Sequence, residues 1–563
     1  MIGKYAQPDP VAISRRTWPD HPIDSAPIWC AVDLRDGNQA LPNPLTPPQK
    51  KRYFQILTEI GFKEIEVGFP SASADDFQFC RDLIEQNLIP EGTVISVLTQ
   101  AREHLIRRTF EALRGVRRAI CHVYVATSDL HMNFVFGKTR EETRDMTVAG
   151  VRLIRECANA MPDSDIRLEF SPEEFTDSDL AYVLDLCDRV VETWGPKPGE
   201  RVVLNLPATV ERRPPHQYAD MIEEFMRRQG YPDKTIISLH AHNDMGCAVA
   251  SSEMALMAGA QRVEGTLFGH GERSGNVDLI TLALNLQYLG VNTGLKIENI
   301  EALRDELVEL TDIPVHPRHP YCGELVFTAF SGSHQDAIHK GMNRREELLK
   351  RFGAWKLPYL HIAPQDIGRS YEKFIRINSQ SGKGGIAHVL QTDYGVRLPR
   401  PLLTELSRHV QTFADKVARE VRSEEVWDML REHFVIEDSP IRLLNYWPRP
   451  DAESPAKIDG EVHLEFQGQK HILFGSGVGP IAAFAKAIRQ LPLPAFTLRD
   501  YEEDAIGTTA DAEAITFIGL QNEAGKLFHG IGFGSNIDQA AVRAFVSAIN
   551  AILHHSAEAP PAV

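Results

Sequence analysis

His240 and His242 lie two residues apart where an apolar run, Ile236-Ile237-Ser238-Leu239, gives way to the polar sequence Asn243-Asp244. The run reads as a strand, and side chains two apart on a strand point to the same face. Two imidazoles on one face at a strand end form half of a metal site. A carboxylate to complete it, Asp36, follows another apolar run, residues 27–33, in the sequence Leu34-Arg35-Asp36-Gly37. The side-chain amide of Asn276, in a polar glycine-rich loop, is a further candidate ligand. Mixed nitrogen and oxygen ligation suits a divalent ion such as Mg, Mn or Zn without choosing among them. Such an ion acts as a Lewis acid on a chelated 2-oxo acid. Arg35, next to Asp36, would add positive charge beside the developing alkoxide.

These residues are some two hundred positions apart, so the elements between them must bring them together. Strand-like runs recur at 27–33, 62–69, 93–99, 118–127, 166–170, 201–206, 235–242 and 262–268, each followed by a helical stretch. The first helix has Thr46 as N-cap and Pro47 at its first position, a favoured start. Eight strand-then-helix units in about 260 residues match a (β/α)8 TIM barrel in count and size. A doubly wound open sheet is the other arrangement of such units, but no Gly-x-Gly-x-x-Gly turn follows the first strand.

Active sites of such barrels lie where the strands end. The polar residues at those points are Arg35 and Asp36 after the first strand, His122 on the fourth, and Ser171 and Glu173 at the end of the fifth. The sixth contributes Asn205, Pro207 and Thr209, spaced by two, and the eighth leads into Gly269-His270-Gly271-Glu272-Arg273-Ser274-Gly275-Asn276. A ring of such groups is costly as plain core, because each unpaired buried polar group costs about 1–3 kcal/mol.

The expected organisation is an α/β barrel over 27–297, preceded by a polar, proline-containing extension over 1–26. Small helical linker subdomains follow over 298–439, with glycine- and serine-rich loops at 356–400. The last part, 440–563, contains a doubled pattern. Strand-like runs around Gln467-Gly468-Gln469 lead to Gly475-Ser476-Gly477 and an alanine-rich helix. Runs around Asn522-Glu523-Ala524-Gly525 lead to Gly532-Phe533-Gly534 and another such helix. This predicts an α+β domain with pseudo-two-fold symmetry. Gly475, Gly477, Gly532 and Gly534 either let a small ligand approach free N–H groups or form tight turns.

Composition sets outer bounds. With 43% hydrophobic and 24% charged residues the chain has ordinary globular make-up and length for a large core. Its 60 basic residues form no blocks and are outnumbered by 77 acidic ones, so nucleic acid is not an expected partner. Seven scattered cysteines without a Cys-x-x-Cys pair read as free thiols of a reducing compartment. No run has the length of a membrane span and no signal pattern opens the chain, so a cytoplasmic location is expected.

The motifs Leu34-Arg35-Asp36-Gly37-Asn38-Gln39, Phe170-Ser171-Pro172-Glu173, Leu206-Pro207-Ala208-Thr209-Val210, His240-Ala241-His242-Asn243-Asp244 and the loop 269–276 together resemble the metal-dependent acyl-CoA condensing enzymes and lyases built on the (β/α)8 barrel. Phe330-Ser331-Gly332-Ser333-His334-Gln335-Asp336-Ala337 and the Asn378-to-Gly385 loop resemble the 2-isopropylmalate synthases within that group. The first motif has Asn38 where many relatives have Glu. The resemblance implies condensation of acetyl-CoA with 3-methyl-2-oxobutanoate, giving 2-isopropylmalate and CoA. It implies Asp36, His240 and His242 as ligands of a divalent metal, Mg above Mn or Zn, with Asn276 acting through water. Arg35 and Thr209 would hold the oxo acid, Thr209 at its carboxylate, with Leu98, His122, Ser171, Asn205 and Pro207 around its isopropyl group. His334 is the implied general base or relay, with Glu173 and Tyr359 as further acid–base candidates. The doubled C-terminal domain resembles that family's leucine sensor, and a homodimer is expected. Homocitrate or citramalate synthesis, which differ in the oxo acid, are the nearest alternative reactions. A lyase and a non-catalytic sensor are more distant ones.

Overall fold

The computed structural model describes every residue except 1–3, 14, 330, 370–382, 418–420, 452–453, 455, 508–511 and 559–563. It divides into two compact units. The first comprises Met1–Val326 with Pro364–Arg369, and the second Phe327–Ala363 with Ser370–Val563.

The first unit is a closed eight-stranded barrel. Its strands are β1 (Ile28–Ala31), β2 (Glu64–Glu66), β3 (Val94–Gln100), β4 (Arg118–Ala126), β5 (Asp165–Glu173), β6 (Val202–Ala208), β7 (Thr235–Ala241) and β8 (Arg262–Gly265). All neighbours pair in parallel, and β1 pairs with β8 to close the ring. Eight helices alternate with them: α1 (Pro47–Ile60), α2 (Ala74–Glu85), α3 (Glu103–Ala112), α4 (Arg140–Asn159), α5 (Leu180–Trp194), α6 (Pro215–Arg228), α7 (Ala248–Met257) and α8 (Leu279–Tyr288). Every residue of β6 is buried, as parallel strands covered by helices require. The start of α1 is the expected one: Thr46 and Gln49 form a reciprocal cap and Pro47 occupies the first turn.

The connection after β1 departs from a plain loop. Asp33–Gly37 form a single π-turn in which the amides of Arg35, Asp36 and Gly37 all donate to the Val32 carbonyl. Asp33 is buried there and accepts hydrogen bonds from the Tyr53 hydroxyl (2.7 Å) and the Leu267 amide (2.8 Å). The turn that carries Arg35 and Asp36 is thereby tied to α1 and to the segment after β8. The buried Asn38 accepts from the Leu45 amide at 2.8 Å, so this position closes the same loop. The N-terminal extension wraps α6 of its own barrel. The Arg16 guanidinium donates twice to Asp220, and the buried Trp18 indole donates to the same carboxylate at 2.9 Å.

In the second unit, α10 (Gly332–Asn343) and α11 (Arg345–Phe352) follow α9 (Ile300–Thr311) of the first. Next come α12 (Lys383–Tyr394), α13 (Arg400–Val417) and α14 (Ser423–Phe434). The helix α12 lies inside the stretch expected to be loops. Its Gly384-Gly385 start weakens the helical signal, while Gly385 lets it approach Gln335 of α10. Two three-stranded antiparallel sheets complete the unit. They are β9 (Ile441–Pro450), β10 (Ile458–Phe466) and β11 (Gln469–Gly477), then β12 (Phe496–Ile506), β13 (Glu513–Asn522) and β14 (Leu527–Gly534). Each sheet is followed by a helix, α15 (Pro480–Ile488) and α16 (Ile537–Glu558). The doubling holds, with one more strand per copy than the sequence suggested. Among the described residues, no helix is long and apolar enough to cross a membrane.

The paired glycines of the two copies have a packing reason. A Cβ on Gly475 or Gly477 would meet the backbone of α15, and one on Gly532 or Gly534 the backbone of α16. The helices lie directly on the last strands, with Ala483, Ala487, Ala540 and Ala544 at the contact. Gly532→Ala should therefore destabilise the second unit by about 1–3 kcal/mol, the usual cost of overpacking. Denaturant unfolding followed by fluorescence of the second unit would check this. An unchanged midpoint would mean that the helix and strand are not held this closely.

Candidate active site

A cavity of about 290 Å³ opens at the C-terminal ends of the strands. It is lined by Arg35, Asp36, Leu98, His122, Ser171, Glu173, Asn205, Pro207, Thr209, His240 and His242, which were all singled out in the sequence. Gln39, Phe69, Tyr124, Glu272 and Arg273 also line it.

The register of the barrel produces the convergence. His240 on β7 stands opposite Pro207 of β6 and Glu264 of β8. His242 lies just beyond β7 and bridges to Asn276. The Nε2 atoms of His240 and His242 are 3.3 Å apart, and Asp36 Oδ2 is 3.4 Å and 3.8 Å from them. All three side chains are buried. The Asn276 amide donates to Asp36 Oδ2 at 2.7 Å and to the His270 carbonyl at 3.1 Å. Its Oδ1 is buried with no hydrogen-bond partner, as is His242 Nδ1.

These residues fit a divalent cation. Two imidazole nitrogens and one carboxylate oxygen face a common point, and the buried amide oxygen of Asn276 is unused. Charge points the same way. Glu64, Glu66, Glu264 and Asp36 are buried in the barrel interior, where two buried guanidiniums, Arg35 and Arg262, face them. Burial holds a fifth carboxyl, Glu169, well above the usual carboxylate range. The carboxyls of Asp36, Glu66 and Glu264 are held below the usual carboxylate range, so the interior keeps negative charge beside the guanidiniums.

A ladder of buried charge supports the site from below. Arg262, with no solvent exposure, donates to Glu64 (2.6 Å), Glu169 (3.0 Å), Glu264 (2.7 Å) and the Ser238 hydroxyl (2.8 Å). Glu264 in turn faces His240 Nδ1 at 2.9 Å and accepts from Asn205 at 3.0 Å. A ligand histidine oriented by a carboxylate in this way has its other nitrogen fixed toward the ion. On the other side, Glu66 takes the Arg35 guanidinium and His122 Nδ1 (2.6 Å), and His122 Nε2 meets the Ser171 hydroxyl at 2.7 Å. Arg35 also donates to Asp36 at 2.5 Å. None of Glu64, Glu66, Glu169, Arg262 or Glu264 was singled out in the sequence. The available signal was charge two apart inside apolar strands, Glu64-Ile65-Glu66 and Arg262-Val263-Glu264.

Without an ion the cluster holds a proton. Burial opposes charge on His240, but hydrogen bonds to Asp36 and Glu264 outweigh it and raise this imidazole to about 9. Burial and the neighbouring charge on His240 push His242 down to about 3. Asp36 is held below the carboxylate range, since Arg35 and His240 overcome its burial. Glu173 moves the other way, raised mainly by burial.

The Thr209 hydroxyl accepts the Glu174 amide at 2.9 Å, which leaves its own hydrogen free to donate into the cavity. The acid–base candidates His334 and Tyr359 belong to the second unit. Their rings stack with centroids 3.9 Å apart, and both side chains are exposed. Tyr359 has φ +61°, a left-handed conformation that is rare for a bulky residue and clusters at functional sites. Of the Asn378-to-Gly385 loop, residues 378–382 lie outside the described residues.

Comparison with known proteins agrees with this geometry. A family model described as HMGL-like matches residues 26–307, which defines the class of the barrel. Models for the alpha-isopropylmalate synthase post-catalytic domain and for the LeuA allosteric (dimerisation) domain match residues 324–391 and 420–553. The 2-isopropylmalate synthase of Rhodospirillum rubrum is 47% identical, over 97% of this chain and 98% of that protein. The proteins of the same name from Ralstonia nicotianae and a Parafrankia species are 44% and 46% identical. They cover 99% and 98% of this chain, and 96% and 97% of their own lengths are matched. The chain belongs to the 2-isopropylmalate synthase family.

The histidine pair sets a measurable signature. Because His240 is protonated below about pH 9 in the free site, titrating Mg or Mn into metal-free protein at pH 8 should release close to one proton per ion. The release should fade as pH rises past 9. Calorimetry in buffers of different ionisation enthalpy reads the number directly, and a value near zero at pH 8 would contradict the arrangement.

Proposed function

We propose that the chain condenses acetyl-CoA with 3-methyl-2-oxobutanoate and water, giving 2-isopropylmalate and CoA. This is the first committed step of leucine biosynthesis. The observation that carries the reading is the meeting of Asp36, His240 and His242 with the oxo-acid candidates in one cavity.

In this proposal Asp36, His240 and His242 hold a divalent ion, Mg first and Mn or Zn as alternatives, with Asn276 beside them. The bound ion supplies Lewis acidity to the ketone of the oxo acid. Thr209 donates its free hydroxyl hydrogen to the substrate carboxylate. Arg35, kept charged by Glu66 and Asp36, stabilises negative charge growing on the ketone oxygen. Leu98 and Pro207 give the isopropyl group apolar contact, with His122, Ser171 and Asn205 as the polar border held in place by their mutual hydrogen bonds. The acetyl methyl of a thioester is a poor acid, so a base must sit beside it. His334, with Tyr359 stacked on it, is assigned that proton. The resulting carbanion attacks the ketone carbon, and the oxygen takes the negative charge. Glu173, whose carboxyl has no hydrogen-bond partner among the described residues and is raised by desolvation, is assigned the proton exchange with that oxygen. Water then cleaves the thioester, releasing CoA. We assign leucine as feedback inhibitor to 440–563, and we take the working form to be a cytoplasmic homodimer.

A thiol-release assay across a panel of oxo acids tests the reaction. The expected outcome is metal-dependent CoA release that is fastest with 3-methyl-2-oxobutanoate and falls on adding leucine to the full chain. Removing one methylene from the substrate should cost roughly 10-fold or more in kcat/KM. Equal turnover with pyruvate or 2-oxoglutarate would move the assignment to a sister reaction. His334→Ala should lower kcat by about 100-fold or more with little change in KM for the oxo acid, the scale of general base catalysis. Unchanged kcat would remove His334 from the mechanism. His242→Ala should abolish metal-dependent turnover, and full activity would reject the ligand assignment.

A further inference from the structure

We propose that the opposite end of the barrel is a binding site for a small polyanion, a molecule carrying two or more phosphate or carboxylate groups. A basin of about 770 Å³ lies at the N-terminal ends of β4, β5 and β6, on the face that in these barrels ordinarily serves stability. Its volume is that of a ligand pocket.

The lining is charged and uneven in sign. Six cations border it: Arg117, Arg118, Arg155, Arg167, Lys197 and Arg201. Four carboxylates also reach it, and three of them are spoken for. Glu64, on the floor, is held by Arg262 at 2.6 Å, Glu200 lies 3.5 Å from Arg155, and Asp165 lies 3.1 Å from Arg167. Arg155 also stacks on the Trp194 ring at 4.3 Å. That leaves Arg117, Arg118, Lys197 and Arg201 with no side-chain partner among the described residues, against the single acid Asp163.

In a chain of net charge −17, four cations with no side-chain partner among the described residues around one concavity reverse the overall sign locally. A concave wall with a surplus of one sign focuses its field and concentrates counter-ions. The cations also enter from separate places: Arg117 and Arg118 at the entrance to β4, Lys197 in the α5–β6 connection, and Arg201 just before β6. A singly charged ion can face only part of that set, whereas a polyanion satisfies several members at once. Three of the four are arginines, and the guanidinium fork matches phosphate and carboxylate oxygens pairwise.

Calorimetric titration of the metal-free full chain with pyrophosphate and, separately, with citrate tests the site. At low salt at least one probe should bind with Kd below about 1 mM, and which one binds tells phosphate from carboxylate chemistry. The exposed double variant Arg117→Gln/Arg201→Gln should weaken binding about tenfold or more, and Lys197→Gln alone should weaken it less. Arg345→Gln/Lys350→Gln, exposed cations elsewhere, should leave it unchanged. Raising the salt should weaken binding in the parent chain. No heat from either probe at about 10 mM, or an affinity unaffected by the basin variants, would overturn the proposal.

Discussion

The barrel depends on one buried cation. Arg262 sits without solvent contact among Glu64, Glu169 and Glu264. A guanidinium in that position is tolerable only if its donors are all used, and here one side chain spends them on three carboxylates and the Ser238 hydroxyl. Removing one partner of such a buried pair costs about 3–5 kcal/mol, because the charge left behind has no water to turn to. A hydrophobic core would be no less stable, so the arrangement makes sense through what it positions. Glu264 is the joint: one end belongs to the Arg262 cluster and the other fixes the His240 ring.

The same logic runs up the other wall of the barrel. Glu66 neutralises Arg35 and orients His122, which reaches the Ser171 hydroxyl. Asn205 ties that hydroxyl to Glu264 at 3.0 Å on each side. The cavity walls therefore form one continuous hydrogen-bonded ring from Arg35 to His240. In such a network the residue types are interdependent, since each buried polar atom needs the partner that the next strand supplies.

The barrel and much of its rim were legible because both follow from short-range rules. Strand and helix periods alternate eight times, and active-site residues fall at strand ends, so Asp36, Thr209 and His240 could be named from position. The supporting charges were less visible. Glu169 stands between Leu168 and Phe170 in an apolar strand, and its partner Arg262 is 93 residues away. Local pattern cannot show that pairing. Strand β12 was missed for a different reason. Nearly all of its residues are exposed, and Asp500, Glu502, Glu503 and Asp504 give it neither apolar alternation nor a buried face. Strand β9, with Pro448 and Pro450 on a sheet edge, hid similarly. The glycines of the doubled domain were read as places where a small ligand approaches or as tight turns, and the structure shows a third use, close helix packing. Helix backbone fills the space above them, and sequence alone could not tell that from a ligand.

Two carboxyl groups at the same rim carry opposite assignments, and their surroundings explain why. Asp36 lies against Arg35 and the histidine pair, and those charges overcome burial, so it stays ionised at every working pH. Glu173 is half-buried nearby with no side-chain hydrogen-bond partner among the described residues, and desolvation raises it from its ordinary value. An acid that remains charged is suited to holding a cation. An acid whose charged form is penalised is suited to giving up and taking back a proton. Exchanging the two environments would exchange the two roles, because nothing in the carboxyl group itself distinguishes them. The division of labour at this rim therefore rests on where β1 and β5 end relative to Arg35, and so on the register that closes the barrel.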